Sequence, residues 1–296
     1  MSESMPSATK ARDWQPVRKA LAVHVRQPLL SDPETATVWA ATPITQIGSS
    51  LGNQGQINAN TDPTTILWYT LAYTCMHFDA LTTLMHRAEF KHDTLDQLPP
   101  SPHVLHIDLG CGPGTASWAV ASALPDDATL RTAGHDHNPH MVALARAMTS
   151  TVSEVHQANL HFRFDSELQD LVGATLPWQG EPFDIVIVTI NSLFGQHSFN
   201  INHVQRACSI VREIRSSFSN IPISLLGTHP IYSKEFVDSS WMTIAGTISA
   251  KISLSKEIAV QSWSPIKIDA DQPSMWHPWN RDHLGHILQA SPLGGE

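Results

Sequence analysis

The 296-residue chain predicts an α/β fold built on a largely parallel sheet. Three observations carry that expectation. From His103 onward, short β-branched runs alternate with helix-like segments, the pattern of strand–helix–strand units. One of these runs, FDIVIVTI (183–190), is almost wholly apolar, as a central strand covered on both faces must be. A glycine-rich turn follows the first run, where a sharp strand-to-helix reversal needs residues that tolerate positive φ.

In chain order, residues 1 to about 12 read as a polar, frayed terminus. Between Trp14 and Trp39, Val17, Leu21, Val25 and Leu29 recur at helical spacing, interrupted by Pro28 and Pro33. Residues 43–65 lack either apolar period and read as a long loop, of the kind that is either a functional lid or disordered. A helix is expected from about Pro63 to His92, with Thr61 or Asp62 at its N-cap. Pro99, Pro100 and Pro102 mark a break, which separates an N-terminal helical segment (1–100) from the remainder (101–296). Strands follow at 104–109, 130–135, 161–164, 183–190 and 223–229, with helices at 114–124, from Pro139, and at 200–218. Asn138 stands at the cap of the second of these helices, ahead of Pro139 at its first position. TIAGTISAKISL (243–254) alternates loosely and is expected to form the antiparallel end of the sheet, before a loose SPLGGE tail. No internal repeat is visible.

Composition narrows the function. Lys+Arg 18 against Asp+Glu 27 gives a net charge of −9, and 42% hydrophobic with 15% charged residues excludes a disordered polyelectrolyte or a coiled coil. A net −9 disfavours a nucleic-acid partner, whose phosphates are bound by Lys and Arg displacing counterions. Cys75, Cys111 and Cys208 are far apart and form neither a disulfide framework nor a CxxC metal site. Residues 1–14 lack the apolar core of a signal peptide, and no apolar run approaches the ~20 residues that span a bilayer. A cytoplasmic protein with no membrane partner is expected.

The chemistry concentrates in Asp108-Leu109-Gly110-Cys111-Gly112-Pro113-Gly114-Thr115, between a strand and a helix whose free N–H groups would face a polar ligand. The spacing is G-x-G-x-G, with Thr115 where a nicotinamide-type fingerprint places its third glycine. Asp136 ends the next strand, where a carboxylate can accept both hydroxyls of a ribose, and Asp165 followed by Ser166 ends the third.

Taken in order, these segments resemble the cofactor half of a class I S-adenosylmethionine-dependent methyltransferase. The matches are VLHIDLGCGPGTAS, AGHDHNPHMVALA, FRFDSE and FDIVIVTINSLF, spanning roughly 104–190. The resemblance implies a Rossmann-like, mostly parallel seven-stranded sheet flanked by helices, with residues 1–100 as an N-terminal helical cap and 101–296 as the catalytic domain. It implies S-adenosyl-L-methionine as cofactor, with Gly110, Cys111, Gly112 and Gly114 in the turn under its methionine moiety and Asp108 holding the amino group. Asp136 would bind the ribose hydroxyls, with His137 or Asn138 beside the adenine. Asp165 and Ser166 would meet the adenine, and Asn191 would sit near the methyl-transfer centre.

Methyl transfer from a sulfonium is an in-line displacement, which needs alignment and exclusion of water more than a fixed catalytic triad. The acceptor side is sought after the fourth and fifth strands and in the N-terminal segment. Tyr69, Tyr73 and His77 recur at i, i+4 and i+8 on one helical face, which either closes over the site or docks the helix. The catalytic candidates are therefore Tyr73, Asn191, His197 and His229, the histidines because their pKa lies near neutrality. No metal is expected, since His135, Asp136 and His137 on a strand end point alternately. Asn191-Ser192-Leu193-Phe194 lacks the Pro-Pro of amino-methylating nucleic-acid enzymes, which favours a small-molecule acceptor. Trp263, Trp276 and Trp279, with His277 and Pro278, are read as either an acceptor wall or core anchors. A protein or ribosomal acceptor, a non-catalytic binding module and a homodimeric assembly stay open.

Overall fold

The structure, a computed structural model, describes residues 15–41, 60–156, 160–165, 178, 180–191, 201–230, 234–265 and 276–293. It is a mixed α/β fold. Seven described strands form one sheet: β1 (His103–Leu109), β2 (Thr129–His135), β3 (Leu160–Asp165), β4 (Ile185–Thr189), β5 (Ile223–Pro230), β6 (Lys251–Pro265) and β7 (Trp276–Ala290). Their spatial order is β3-β2-β1-β4-β5-β7-β6. The first five strands run parallel, and β7 joins antiparallel between β5 and β6. The order turns back at β1, so the crevice beside the carboxyl ends of β1 and β4 is where an open α/β sheet binds ligands.

Period-2 alternation divides the sheet residues between two cores. On one face, Val104, Ile185, Ile187 and Leu226 join a cluster with Val17, Val25, Ile66, Leu81, Leu84 and Trp118. On the other, Leu105, Ile107, Val186, Val188 and Leu225 pack with Val211, Ile214, Val237, Trp241 and Ile244. The N-terminal helices therefore cover the face that also carries His106 and Asp108, two and four residues on from Val104. These helices are α1 (Gln15–Leu21), α2 (Gln27–Ser31), α3 (Pro33–Ala41) and α4 (Pro63–Met85), with a π-helical turn at Ala22–Arg26. Pro28 is the second residue of α2, directly after the π-helical turn.

A short α5 (Ala88–Lys91) precedes β1, and between the strands lie α6 (Thr115–Ala123), α7 (Pro139–His156), α8 (Ile201–Ser217) and α9 (Lys234–Ile248). At the start of α4, the Asp62 carboxylate accepts the Thr65 backbone N–H at 3.0 Å, so Asp62 is the cap. Asn138 caps α7 by accepting the N–H groups of His140 and Met141, at 2.9 and 3.1 Å.

Two sequence expectations change. The helix that starts at Pro63 stops at Met85 rather than His92, because Arg87 turns extended (φ −66, ψ 143) and lets Phe90 fold back into the core, fully buried. Residues 243–248 belong to α9 and not to a strand, since Val237, Trp241, Ile244 and Ile248 share a buried helical face. The antiparallel end of the sheet begins only at Lys251, and its second strand, β7, carried no clear alternation in the sequence. Trp263 pairs with Pro278 and Pro265 with Trp276, which puts the tryptophan-rich segment at the far end of that hairpin. The expected lid at 43–65 lies outside the described residues up to position 59. Among the described residues, no helix is long and apolar enough to cross a membrane.

Candidate functional site

The glycine turn is built as its composition requires. Gly110, Gly112 and Gly114 all take positive φ (73°, 52° and 89°), the left-handed region that costs an L-residue about 1–2 kcal/mol. Cys111 donates its N–H to the His135 carbonyl at 2.8 Å, which ties the turn to the end of β2. Space beside Gly112 is open, with nothing within 4 Å of where a Cβ would stand.

Asp136 clamps this turn from the neighbouring strand. One carboxylate oxygen accepts the Gly112 N–H at 3.0 Å and the other the Asn138 N–H at 2.9 Å. A carboxylate has about four acceptor positions, so roughly half of its capacity is left for a ligand. Burial raises its pKa, opposed by the Asn138 N–H, His137 and the Gly112 N–H.

Asp108, the last residue but one of β1, has no exposed surface. Its Oδ1 accepts the Thr189 hydroxyl at 2.8 Å, while Oδ2 has no partner. Burial pushes its pKa up to about 7, against the Thr189 hydrogen bond and with some repulsion from Asp136. A buried oxygen without a donor is costly unless something binds it. Thr115 Oγ1, at the start of α6, is likewise buried without a partner.

These groups line one cleft of about 600 Å³, part of it open to solvent. Asp108, Gly110, Cys111, Gly112, Asp136, His137 and Asn191 meet there with Thr115 and Met141, and α4 contributes Tyr69 and His77. Asn138 Nδ2 donates to the Thr61 carbonyl at 3.3 Å, joining the start of α4 to this end of the sheet. Burial lowers the His77 pKa to about 3, with help from His283. Its imidazole is therefore neutral at ordinary pH.

Not every expected residue reaches the cleft. Gly114 stands behind the turn as the cap of α6. Tyr73 stacks against His77 (centroids 6.1 Å apart, 24°) and lies 4.9 Å from Tyr69, but the cleft wall is made by its two neighbours. His229 faces the other side of the sheet with Leu225, fully buried, its Nε2 accepting the Trp241 indole N–H at 3.0 Å. Asn191 accepts the Thr228 hydroxyl at the cleft edge. Asp165 ends β3 level with His135, while Ser166 and His197 lie outside the described residues. No group of three or more His, Cys, Asp or Glu among the described residues could hold a metal. Two participants went unread in the sequence, His106 and Thr189. The available signal was a histidine two residues before Asp108 on one strand, hence on the same face.

No protein-family model and no curated protein matches the chain. Its resemblance to solved structures is distant. A Listeria monocytogenes protein described as a class I S-adenosylmethionine-dependent methyltransferase aligns over 95% of this chain and 89% of its own, with 12% identity and a TM-score of 0.45. An arsenic(III) S-adenosylmethionine methyltransferase from Chlamydomonas reinhardtii covers 69% of this chain and 74% of its own (14% identity, TM-score 0.40). An S-adenosylmethionine-dependent O-methyltransferase from Thermotoga maritima covers 74% and 73% (10% identity, TM-score 0.38).

Proposed function

We propose that the protein is an S-adenosylmethionine-dependent methyltransferase acting on a small-molecule acceptor. The observation that carries this reading is the donor-free Oδ2 of buried Asp108, held beside a bare left-handed turn and a second carboxylate, Asp136. The chemistry of the set fits the cofactor. Its ammonium group matches Asp108, its ribose hydroxyls match the spare acceptor positions of Asp136, and its chain needs backbone without a Cβ in the way. Asp165 ends the next strand at the same end of the sheet, which supports its assignment to the adenine side.

When bound, the cofactor supplies an electrophilic methyl group on a sulfonium. The chain contributes placement: Asp108 and Asp136 fix two ends of the cofactor, and Tyr69 and His77 from α4 cover the space between. In this reading the N-terminal helices form part of the site, as a cap. His77 is uncharged near neutrality and, with its pKa lowered to about 3, a weak base, so alignment and exclusion of water supply most of the acceleration rather than proton transfer. The acidic chain suits no polyanionic acceptor, which favours a small molecule.

Titration calorimetry with S-adenosylhomocysteine tests the reading. Binding is expected for the wild type, with marked weakening in Asp108→Ala and Asp136→Ala. Absence of binding at saturating ligand overturns it, and binding without turnover across pools of small acceptors would make the protein a binding module. A co-crystal with the same ligand would show the cavity facing the sulfur and so bound the acceptor.

A further inference from the structure

His106 is a costly choice for the middle of a parallel sheet. Strand register explains why it is there. His106 sits beside Thr132 of β2, and Asp108 sits beside Thr189 of β4. All four side chains are fully buried. They form a continuous chain: Thr132 Oγ1 to His106 Nδ1 at 3.4 Å, His106 Nε2 to Thr189 Oγ1 at 2.8 Å, and Thr189 Oγ1 to Asp108 Oδ1 at 2.8 Å. Apolar side chains would pack here without the desolvation that four buried polar groups cost.

The chain has a direction. An ionised carboxylate can only accept, so the single Thr189 proton goes to Asp108 Oδ1. Thr189 Oγ1 must then accept from His106, which places the imidazole proton on Nε2 and leaves Nδ1 to accept from Thr132. If Asp108 is protonated at Oδ1, each bond can reverse and the imidazole proton moves to Nδ1. The tautomer of His106 thus reports the ionisation of Asp108. The groups that face Asp108 across the cleft are Asp136, His137, Cys111, Tyr69 and His77. Among the described lining residues there is no Lys or Arg, so the cation that would hold Asp108 ionised must arrive with the ligand.

We propose that Thr132, His106 and Thr189 form a positioning device that aims Asp108 at a primary ammonium group, and that His106 settles in its Nε2–H tautomer when that group binds. The identity of the ammonium carrier rests on the cofactor reading above. The device itself rests on the geometry of the four side chains.

The test uses the full chain labelled with ¹⁵N-histidine, with His106 assigned by the signal lost in His106→Gln. Near pH 6, addition of S-adenosylhomocysteine is expected to shift His106 toward Nε2–H. 5′-Methylthioadenosine, which lacks the ammonium group, should leave it unchanged. In calorimetry, Thr189→Val should weaken S-adenosylhomocysteine by about tenfold, Thr189→Ser should restore it, and 5′-methylthioadenosine should bind all three alike. If neither ligand binds the wild type, the cofactor reading fails. If both bind and His106 keeps one tautomer distribution throughout, the cofactor reading survives and this inference is overturned. Should Thr189→Val fail to fold, the wild-type tautomer measurement still decides.

Discussion

Asp108 and Asp136 stand at the ends of adjacent strands, yet their environments give them different work. Asp136 is satisfied by two backbone N–H groups and holds the turn closed. Removing it strands those donors as well as any ligand hydroxyls, so Asp136→Ala should weaken S-adenosylhomocysteine by about 1–3 kcal/mol and lower the thermal midpoint too. Unchanged affinity in calorimetry would take Asp136 out of the site. Asp108 is the titrating group. Its pKa is raised to about 7, so the carboxyl is largely neutral below that pH and ionised above it. An ammonium ligand prefers the ionised form, so affinity should rise between about pH 6 and about pH 8, and Asp108→Asn should flatten the profile. A flat wild-type profile would mean that the amine is bound elsewhere. Both aspartates were legible in the sequence because each belongs to a local pattern at a strand end. His106 was not, because its role exists only once β2 and β4 bring Thr132 and Thr189 alongside.

At the scale of elements, α4 is both scaffold and wall. Its N-cap, Asp62, accepts the Thr65 backbone N–H and, at 2.6 Å, the Thr65 hydroxyl. Asp62→Ala should cost about 1 kcal/mol in denaturant unfolding, while Asp62→Asn should keep most of it. The start of this helix was readable from Asp62 and Pro63. Its end was not, since Met85 gives way only because Phe90 is drawn into a core assembled from distant strands. The same limit hid α9, whose Ser, Thr, Ala and Gly residues mimic a loose alternation until Trp241 finds its place. That place is tight. A Cβ on Gly227 of β5 would stand 2.3 Å from Trp241 Cζ2 and 2.6 Å from the Ile190 carbonyl oxygen. A backbone oxygen cannot swing aside, so Gly227→Ala should lose about 3 kcal/mol or more, read as a lower denaturant midpoint. A neutral outcome would show that β4 and β5 can part there without cost.

For the molecule as a whole, the decisive feature is how many imidazoles it buries uncharged. His77, His106, His229 and His286 all have lowered pKa values, chiefly through burial, with the Asp238 hydrogen bond opposing the shift at His286. In the unfolded chain these groups take up protons near pH 6.5, whereas the folded protein takes them up only at lower pH. Their contribution is therefore fully present above about pH 6.5 and is lost as the pH falls. The raised pKa values of Asp108 and Asp136 act in the opposite sense, because the folded state keeps protons that the unfolded chain releases above about pH 4. Four imidazoles outweigh two carboxyls, so the urea midpoint should fall as the pH is lowered from about 6.5 to about 5. His106→Gln, which removes one of the four, should shallow that fall even if it lowers the midpoint at neutral pH. A midpoint that holds steady or rises on acidification would require charged imidazoles inside the fold. The neutral chain from Thr132 to Asp108 would then lose its footing together with the sheet face that carries it.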